Sequence, residues 1–297
     1  MTSTDEAATA ALCADIELRI RQSADLVLPL DQTLALLREL QQFELGRFLL
    51  HNQGLNGYWT SYVFRHGPDR ETASPLEEWM LNRSLMRQAR ERFHRFKKEI
   101  AGNIHEGATL ASIPCGVMDD LLQQDYRGID QVKLIGIDID PESLRLAAAN
   151  AAHRDLGQHC EFRARDAWNL DASSEADLIV SNGLNIYESD PERLTRLYRN
   201  LHQALRPGGR LLLSFLPPLP PPPGQDSDAA AGWAAYGMTE EDVLRELSLF
   251  RDIIRPNYLN FCTEAEMRDQ LEDVGFTVEA VRYNHNGVLP IVVAARL

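Results

Sequence analysis

The sequence predicts an α/β protein: a doubly wound, mostly parallel seven-stranded sheet with an antiparallel last strand, preceded by a helical N-terminal region. Three observations carry this expectation. From Ala108 onward short apolar runs alternate with helical patterns, as they do where helices cover both faces of a parallel sheet. The chain ends on two further strand patterns separated by Asn286-Gly287, a hairpin dipeptide that turns the final strand back. Before residue 105 the pattern is helical, interrupted by one aromatic-rich segment. The expected organisation is 1–104 as a lid or substrate-pocket region and 105–297 as the ligand-binding α/β domain.

The N-terminal elements follow from spacing. A polar, Ala-rich start is expected to fray. Leu34, Leu37, Leu40, Phe43 and Phe48 recur at helical intervals, predicting an amphipathic helix over 31–50 with Asp31 as its N-cap. GLNGYWTSYVFRHGP, from Gly54 to Pro68, places Tyr58, Trp59, Tyr62 and Phe64 between glycines and reads as a loop. Ser74-Pro75-Leu76-Glu77 is a capping box with Pro at the first helical position. It opens a long helix to about residue 101, in which Trp79, Met86, Phe93 and Ile100 form the buried stripe. Arg83, Arg87, Arg90, Arg92, Arg95, Lys97 and Lys98 lie opposite and read as a solvated face, with positive charge towards the helix C-terminus.

Strands are expected at 108–113, 132–137, 160–165, 176–181 and 210–215, with helices at 141–154 and 191–205. Pro207-Gly208-Gly209 reads as a turn into the fifth strand, and PPLPPPPG at 217–224 as a stiff polyproline element. Helices at 239–251 and 263–274 and strands at 276–283 and 288–296 complete the chain.

Composition limits the function. The 297 residues are 44% hydrophobic and 25% charged, ordinary for a globular protein with a full core. No run approaches the ~18 uncharged apolar residues of a membrane span, and Met1–Ala14 lacks the basic start of a secretory signal. Thirty Lys+Arg against 44 Asp+Glu give a formal charge of −14. That balance repels nucleic acid and anionic membranes and leaves a small molecule as the expected partner. Four cysteines, at 13, 115, 160 and 262, form no CxxC pair. This argues against a disulfide framework or a metal site and suits a reducing cytoplasm.

In open α/β sheets ligands bind at the C-terminal strand ends. Those ends carry Pro114-Cys115-Gly116-Val117-Met118, Asp138-Ile139-Asp140-Pro141, Asp166-Ala167-Trp168 and Asn182-Gly183-Leu184-Asn185-Ile186-Tyr187. Asp138 lies 22 residues beyond Gly116, the spacing at which an acid at the second strand end meets a ribose diol.

In ASIPCGV, GIDIDPESL, RARDAW and LRPGGRLLLSF, in that order, the chain from about Thr109 resembles class I S-adenosylmethionine (SAM)-dependent methyltransferases. The resemblance implies a Rossmann-like SAM-binding domain with the helical N-terminal part as its lid. It implies that Gly116 admits the cofactor, Asp138 binds its ribose, Ile139 packs on the adenine, Asp166 accepts from the adenine amine and Ala167 offers its backbone NH. Ser112, Pro114 and Cys115 stand in the same loop, and Asn182 at the fourth strand end completes the expected binding set. The family usually has an acid-x-Gly-x-Gly-x-Gly loop; here Ser112 replaces the acid, Pro114 the first Gly and Met118 the last. Ser112 lacks the charge that usually holds the cofactor's ammonium.

No general base stands out, and methyl transfer from a sulfonium depends more on alignment and desolvation than on one. The expected activity is methyl transfer to a small molecule of secondary metabolism, with Asn182, Tyr187 and Ser214 near the reacting centre. LQQFELGRFLLHNQGLNGYWTSY and the strand-end residues also resemble azetidine-2-carboxylate synthases, which cyclise SAM itself and release methylthioadenosine. That resemblance makes Asn150, Tyr187 and Ser214 candidates for folding the methionine arm. Loss of the acid at 112 would lower the pKa of the attacking amine.

Overall fold

The computed structural model describes residues 3–65, 71–221, 223, 229–256, 259–284 and 286–297. By its contacts the chain forms two units. One comprises Met1–Leu55, Arg65–Arg87 and Pro220–Asn257, the other Asn56–Phe64, Gln88–Leu219 and Tyr258–Leu297. Both therefore draw on the residues before 105.

The N-terminal expectation needs several corrections. Residues expected to fray form α1 (Ser3–Gln22), which buries Cys13, Ile16 and Ile20. The single helix over 31–50 is two, α2 (Leu30–Leu40) and α3 (Glu44–Asn52). Between them Phe43 is extended and buried, and Gly46 lies so close to Leu40 that a Cβ would meet its carbonyl oxygen at 2.1 Å. Pro29, not Asp31, occupies the N-cap, and Asp31 sits in the first turn.

The aromatic segment is also helical, as α4 (Gly57–Arg65). Asn56 caps it by accepting from Trp59 N at 3.0 Å. Trp59, Ser61 and Val63 are its buried residues. Residues 66–68 of the expected loop lie outside the described residues, as do Pro222 and Gly224 of the polyproline element.

Ser74 does cap the next helix, α5 (Pro75–Asn82), accepting from Glu77 N at 3.1 Å. The long helix expected from there breaks at Arg83, whose ψ is 155°, and resumes as α6 (Ser84–Ala101). The break lets Arg83 bury its guanidinium against Glu246, with Phe250 beneath it at 4.6 Å.

The rest of the chain holds β1 (Thr109–Ser112), α7 (Asp119–Leu122), β2 (Lys133–Asp138), α8 (Pro141–His153), β3 (Cys160–Ala164), β4 (Ala176–Ser181), α9 (Pro191–Ala204) and β5 (Leu205–Ser214). After it come α10 (Ala229–Ala235), α11 (Glu240–Leu247), a π-helical turn over 248–254, α12 (Glu264–Glu272), β6 (Phe276–Arg282) and β7 (Ile291–Arg296). The sheet order is β3-β2-β1-β4-β5-β7-β6, with β7 antiparallel to both neighbours, as the sequence predicts. Pro207-Gly208-Gly209 is not a separate turn. It forms an irregularity inside β5, where the pairing with β4 jumps between Ala176 and Leu178.

Alternate strand residues feed two cores. Ala111, Ile135, Ile179 and Leu211 pack with Leu194, Leu197, Tyr198 and Leu201 of α9. Leu110, Leu134, Leu178 and Leu212 pack with Ala147 and Ala151 of α8 and with Phe96 and Ile100 of α6. Thus α6, from the N-terminal part of the chain, is a structural layer of the sheet unit and can deliver side chains to the strand ends.

Candidate functional site at the strand ends

At the β1 end the backbone remains tied between its neighbours: Ile113 N donates to Val180 O and Cys115 N to Ile137 O, each at 2.8 Å. The loop then turns through Gly116, at φ 50°, whose N–H donates to Asp138 Oδ2 at 2.9 Å. Asp138 Oδ1 accepts from Asp140 N at 3.0 Å. Two backbone donors thus orient the Asp138 carboxylate, whose remaining lone pairs suit a diol. Beside it Ile139 is 71% exposed, an apolar side chain presented at a strand end. Asp166 is exposed, its Oδ1 accepting from Trp168 N at 3.0 Å, and Ala167 beside it is buried. This set of an acceptor for hydroxyls, an apolar plate and a second acceptor fits the adenosine part of SAM.

The rest of the glycine-loop region is closely packed. Gly57, at the start of α4, lies against Gly116: a Cβ on Gly57 would fall 2.6 Å from Gly116 Cα. Cys115 is buried, its sulfur crowding Gly136, and burial raises its thiol pKa far above the usual range. Pro114 is half-buried. Met118 adopts a left-handed conformation, φ 59°, at the position where the family's third glycine stands.

Ser112 is buried and donates to Asp120 Oδ2 at 2.7 Å, while Asp120 Oδ1 accepts from Leu121 N at 2.9 Å. An acid missing from position 112 therefore stands beside it, supplied eight residues later. Desolvation pushes the Asp120 carboxyl up to about 6, helped by Asp119 and opposed by hydrogen bonds from Ser112 and Leu121. Asp119, also buried, accepts from Ser61 of α4 and from Asn150 Nδ2 at 3.1 Å. Asn150 further donates to Val117 O at 2.9 Å and accepts from Arg154. Its amide holds the loop over 117–119.

The ends of β4 and β5 differ. Ser214 is fully buried and accepts from Arg92 Nη1 at 2.9 Å. Asn182 Oδ1 is buried without a hydrogen-bond partner. Tyr187 is 60% exposed, and desolvation raises its phenol pKa against the opposing pull of Arg92. Burial in turn lowers the Arg92 guanidinium to about 10, still charged at neutral pH.

Arg92 is the residue that sequence reasoning missed. The expected solvated basic face holds only in part: Arg87 and Lys98 are exposed, but Arg83 is buried, Arg90 donates to Val63 O, Arg95 to Arg282 O and Tyr283 O, and Arg92 reaches the strand ends. Its signal was weak, because Phe93 beside it marks the core-facing side of α6. Of the aromatics in α4, Trp59 is core, packed between Tyr58 and Tyr62 at centroid distances of 5.1 and 4.9 Å, whereas Tyr58 is 45% exposed.

Residues 113–209 match a family model described as a methyltransferase domain. A crystal structure from Bordetella parapertussis, of a protein described as a possible exported protein, is 35% identical over 100% of this chain and 99% of that one, with a TM-score of 0.88. A SAM-dependent methyltransferase from Methanosarcina mazei is 22% identical over 67% of this chain and 97% of its own, with a TM-score of 0.49. A Nostoc punctiforme protein provisionally assigned as an O-methyltransferase is 15% identical over 80% of this chain and 67% of its own, with a TM-score of 0.50. No curated protein sequence matches the chain. Among the described residues no helix is long and apolar enough to cross a membrane.

Proposed function

We propose that the chain, whose residues 113–209 match a methyltransferase-domain model, is a class I SAM-dependent methyltransferase that acts on a small molecule of secondary metabolism by methyl transfer. The observation that supports this most is the Asp138 carboxylate, fixed by Gly116 N and Asp140 N beside the exposed Ile139. In this reading Asp138, Ile139, Asp166 and Ala167 hold the adenosine, and Gly116 lets it approach the loop. SAM supplies an activated methyl group. The protein's part is to align an acceptor and exclude water at the β4 and β5 ends. The acidic charge of −14 favours a small acceptor over nucleic acid. A cytoplasmic location without membrane attachment, and residues 31–68 acting as a lid that orders on binding, belong to the same proposal. Equal hydrogen-exchange protection of that segment with and without S-adenosylhomocysteine would count against the lid.

A second reading, cyclisation of SAM to azetidine-2-carboxylate with release of methylthioadenosine, is favoured by one local feature. The exposed Tyr187 ring stands beside Arg92 at the reacting end, where an aromatic face can meet a sulfonium. Incubation of the protein with SAM alone, followed by mass spectrometry, separates the readings. Methylthioadenosine together with azetidine-2-carboxylate selects cyclisation. Turnover only after an acceptor is added selects methyl transfer, and SAM returned unchanged with every acceptor excludes both.

A further inference from the structure

A cavity of about 380 Å³ lies in the unit that holds residues 1–55, 65–87 and 220–257. It is lined by α1, the C-terminal end of α3 and the π-helical turn, and shares no residue with the strand ends. Its apolar wall is Leu12, Ile16, Leu50, Ile253 and Ile254. Two guanidinium groups, Arg19 and Arg255, share the lining with one carboxylate, Asp15. Asp15 and Arg255 are exposed, so the cavity reaches solvent.

The two cations are left without an acid. Arg19 Nη2 donates to Ile253 O at 2.7 Å and satisfies a carbonyl of the π-helical turn, whereas its Nη1 is buried without an acceptor. Arg255 Nε donates to Arg251 O at 3.3 Å, and among the described residues no acid forms an ion pair with either arginine. Burial and the neighbouring Arg255 lower the Arg19 guanidinium from its usual pKa, and Asp252 opposes them. Asp252 is already committed: its Oδ1 accepts from Arg251 Nε and its Oδ2 from Val27 N, each at 2.8 Å. The backbone is also unusual here. Arg255 leaves the π-helical turn with φ 54°, and Gln53, which lines the same cavity at the end of α3, has φ 56°. Left-handed backbone is uncommon outside glycine and tends to persist where a ligand site is held in shape.

These features select a ligand. Two cations against one carboxylate leave a positive excess that a monoanion balances, whereas a dianion would face Asp15 with charge to spare. An inorganic anion would leave the apolar wall wet, and a neutral apolar molecule would leave Arg19 Nη1 unpaired. The volume stands at the small end of the range for ligand pockets.

We propose that this cavity is a binding site for a small organic carboxylate with an apolar body, its carboxylate on Arg19 and Arg255 and its body against Ile16, Leu50 and Ile253. The site goes beyond the SAM reading and stands without it.

The test is calorimetry on the full chain with octanoate and phenylacetate, which share the charge and differ in the body. Acetate, which lacks the body, and 1-octanol, which lacks the charge, are the controls. At least one of the two acids is expected to bind saturably, one molecule per chain, and more tightly than either control by roughly tenfold or more. Arg255→Met is expected to weaken that acid by roughly tenfold and to leave 1-octanol unaffected. Asp15→Asn removes a repelling charge and strengthens it. Arg19→Met also frees Ile253 O and is expected to melt lower, so the exposed Arg255 and Asp15 carry the test. Absence of saturable binding by both acids overturns the proposal. So does equal binding of 1-octanol and octanoate, which would make the cavity a greasy surface only, or an affinity indifferent to Arg255→Met. An acid that displaces S-adenosylhomocysteine and ignores Arg255→Met sits at the strand ends instead; that outcome also sinks the site and leaves the SAM reading standing.

Discussion

The two halves of the strand-end edge are built differently. At the β1–β3 ends each oxygen of the Asp138 carboxylate already accepts a backbone N–H, and Ser112, Asp119, Asp120 and Asn150 are hydrogen-bonded to one another or to the loop. At the β4–β5 ends Arg92 Nε and Asn182 Oδ1 are buried and unpartnered. Buried polar groups are normally satisfied, so the second half carries a free-energy cost that the first does not. The contrast fits a division of labour: a preorganised seat for a nucleoside, and a reacting end whose polar groups are left for the substrate.

Asp138→Ala attacks the first half and has the largest expected effect. It leaves the Gly116 and Asp140 N–H groups without their acceptor and removes the proposed partner of the ligand's diol. A loss on the order of 3 kcal/mol, roughly a hundredfold in S-adenosylhomocysteine affinity, is expected by calorimetry. Asp138→Asn keeps one carbonyl and loses less. Unchanged affinity in Asp138→Ala would remove the nucleoside seat from this half.

Asp120 sharpens the comparison, because it is the strained member of the satisfied half. Desolvation, with Asp119 adding to it, lifts its carboxyl from an ordinary 3.8 to about 6. The native state therefore binds this proton more tightly than the unfolded chain does. Its contribution to stability is largest below pH ~4, falls as the pH rises to about 6 and is constant above. The swing is roughly 3 kcal/mol at most. Asp120→Asn, which cannot ionise, is expected to lack that decline in urea unfolding between those pH values. The same decline in both proteins would show that the carboxyl titrates normally.

The difference between the halves also decided what the sequence could reveal. Gly116, Asp138, Ile139 and Asp166 follow directly after strands, so the apolar runs at 108–113, 132–137 and 160–165 located them without tertiary information. Alternating strand patterns and Asn286-Gly287 likewise foretold the antiparallel β7. Arg92 comes from α6, 122 residues before its partner Ser214, and helical periodicity cannot say which strand end a side chain reaches. Asp120 was hidden for a similar reason: the family pattern directed attention to Ser112, while the acid approached it from the next helix. The broken helices at Phe43 and Arg83 were illegible because tertiary burial overrode an unbroken helical pattern.

Gly57→Ala tests whether α4 is part of the nucleoside half. The added methyl group would meet Gly116 backbone at 2.6 Å, with Ser143 Oγ at 2.9 Å, so either α4 or the loop must move. Overpacking of this kind costs about 1–3 kcal/mol. Both Tm and S-adenosylhomocysteine affinity are expected to fall together. A stability loss with unaltered affinity would assign the contact to packing alone.

Tyr187 yields the smallest expected effect and probes the reacting half most directly. Its ring is exposed and its hydroxyl sits in the field of Arg92, so ring and hydroxyl can act separately. A ring face meeting a sulfonium contributes about 0.5–2 kcal/mol, depending on how far the site excludes water. Tyr187→Phe keeps that face and is expected to retain most of the turnover, whereas Tyr187→Ala loses between twofold and roughly thirtyfold. S-adenosylhomocysteine, which is uncharged at sulfur, provides the control: its affinity should change much less than that of SAM when the ring is removed. If Phe and Ala fail equally, the hydroxyl beside Arg92 is the working group. The reacting end would then be organised by hydrogen bonds throughout, like the adenosine end, and the contrast between the two halves would reduce to which donors are still waiting for a partner.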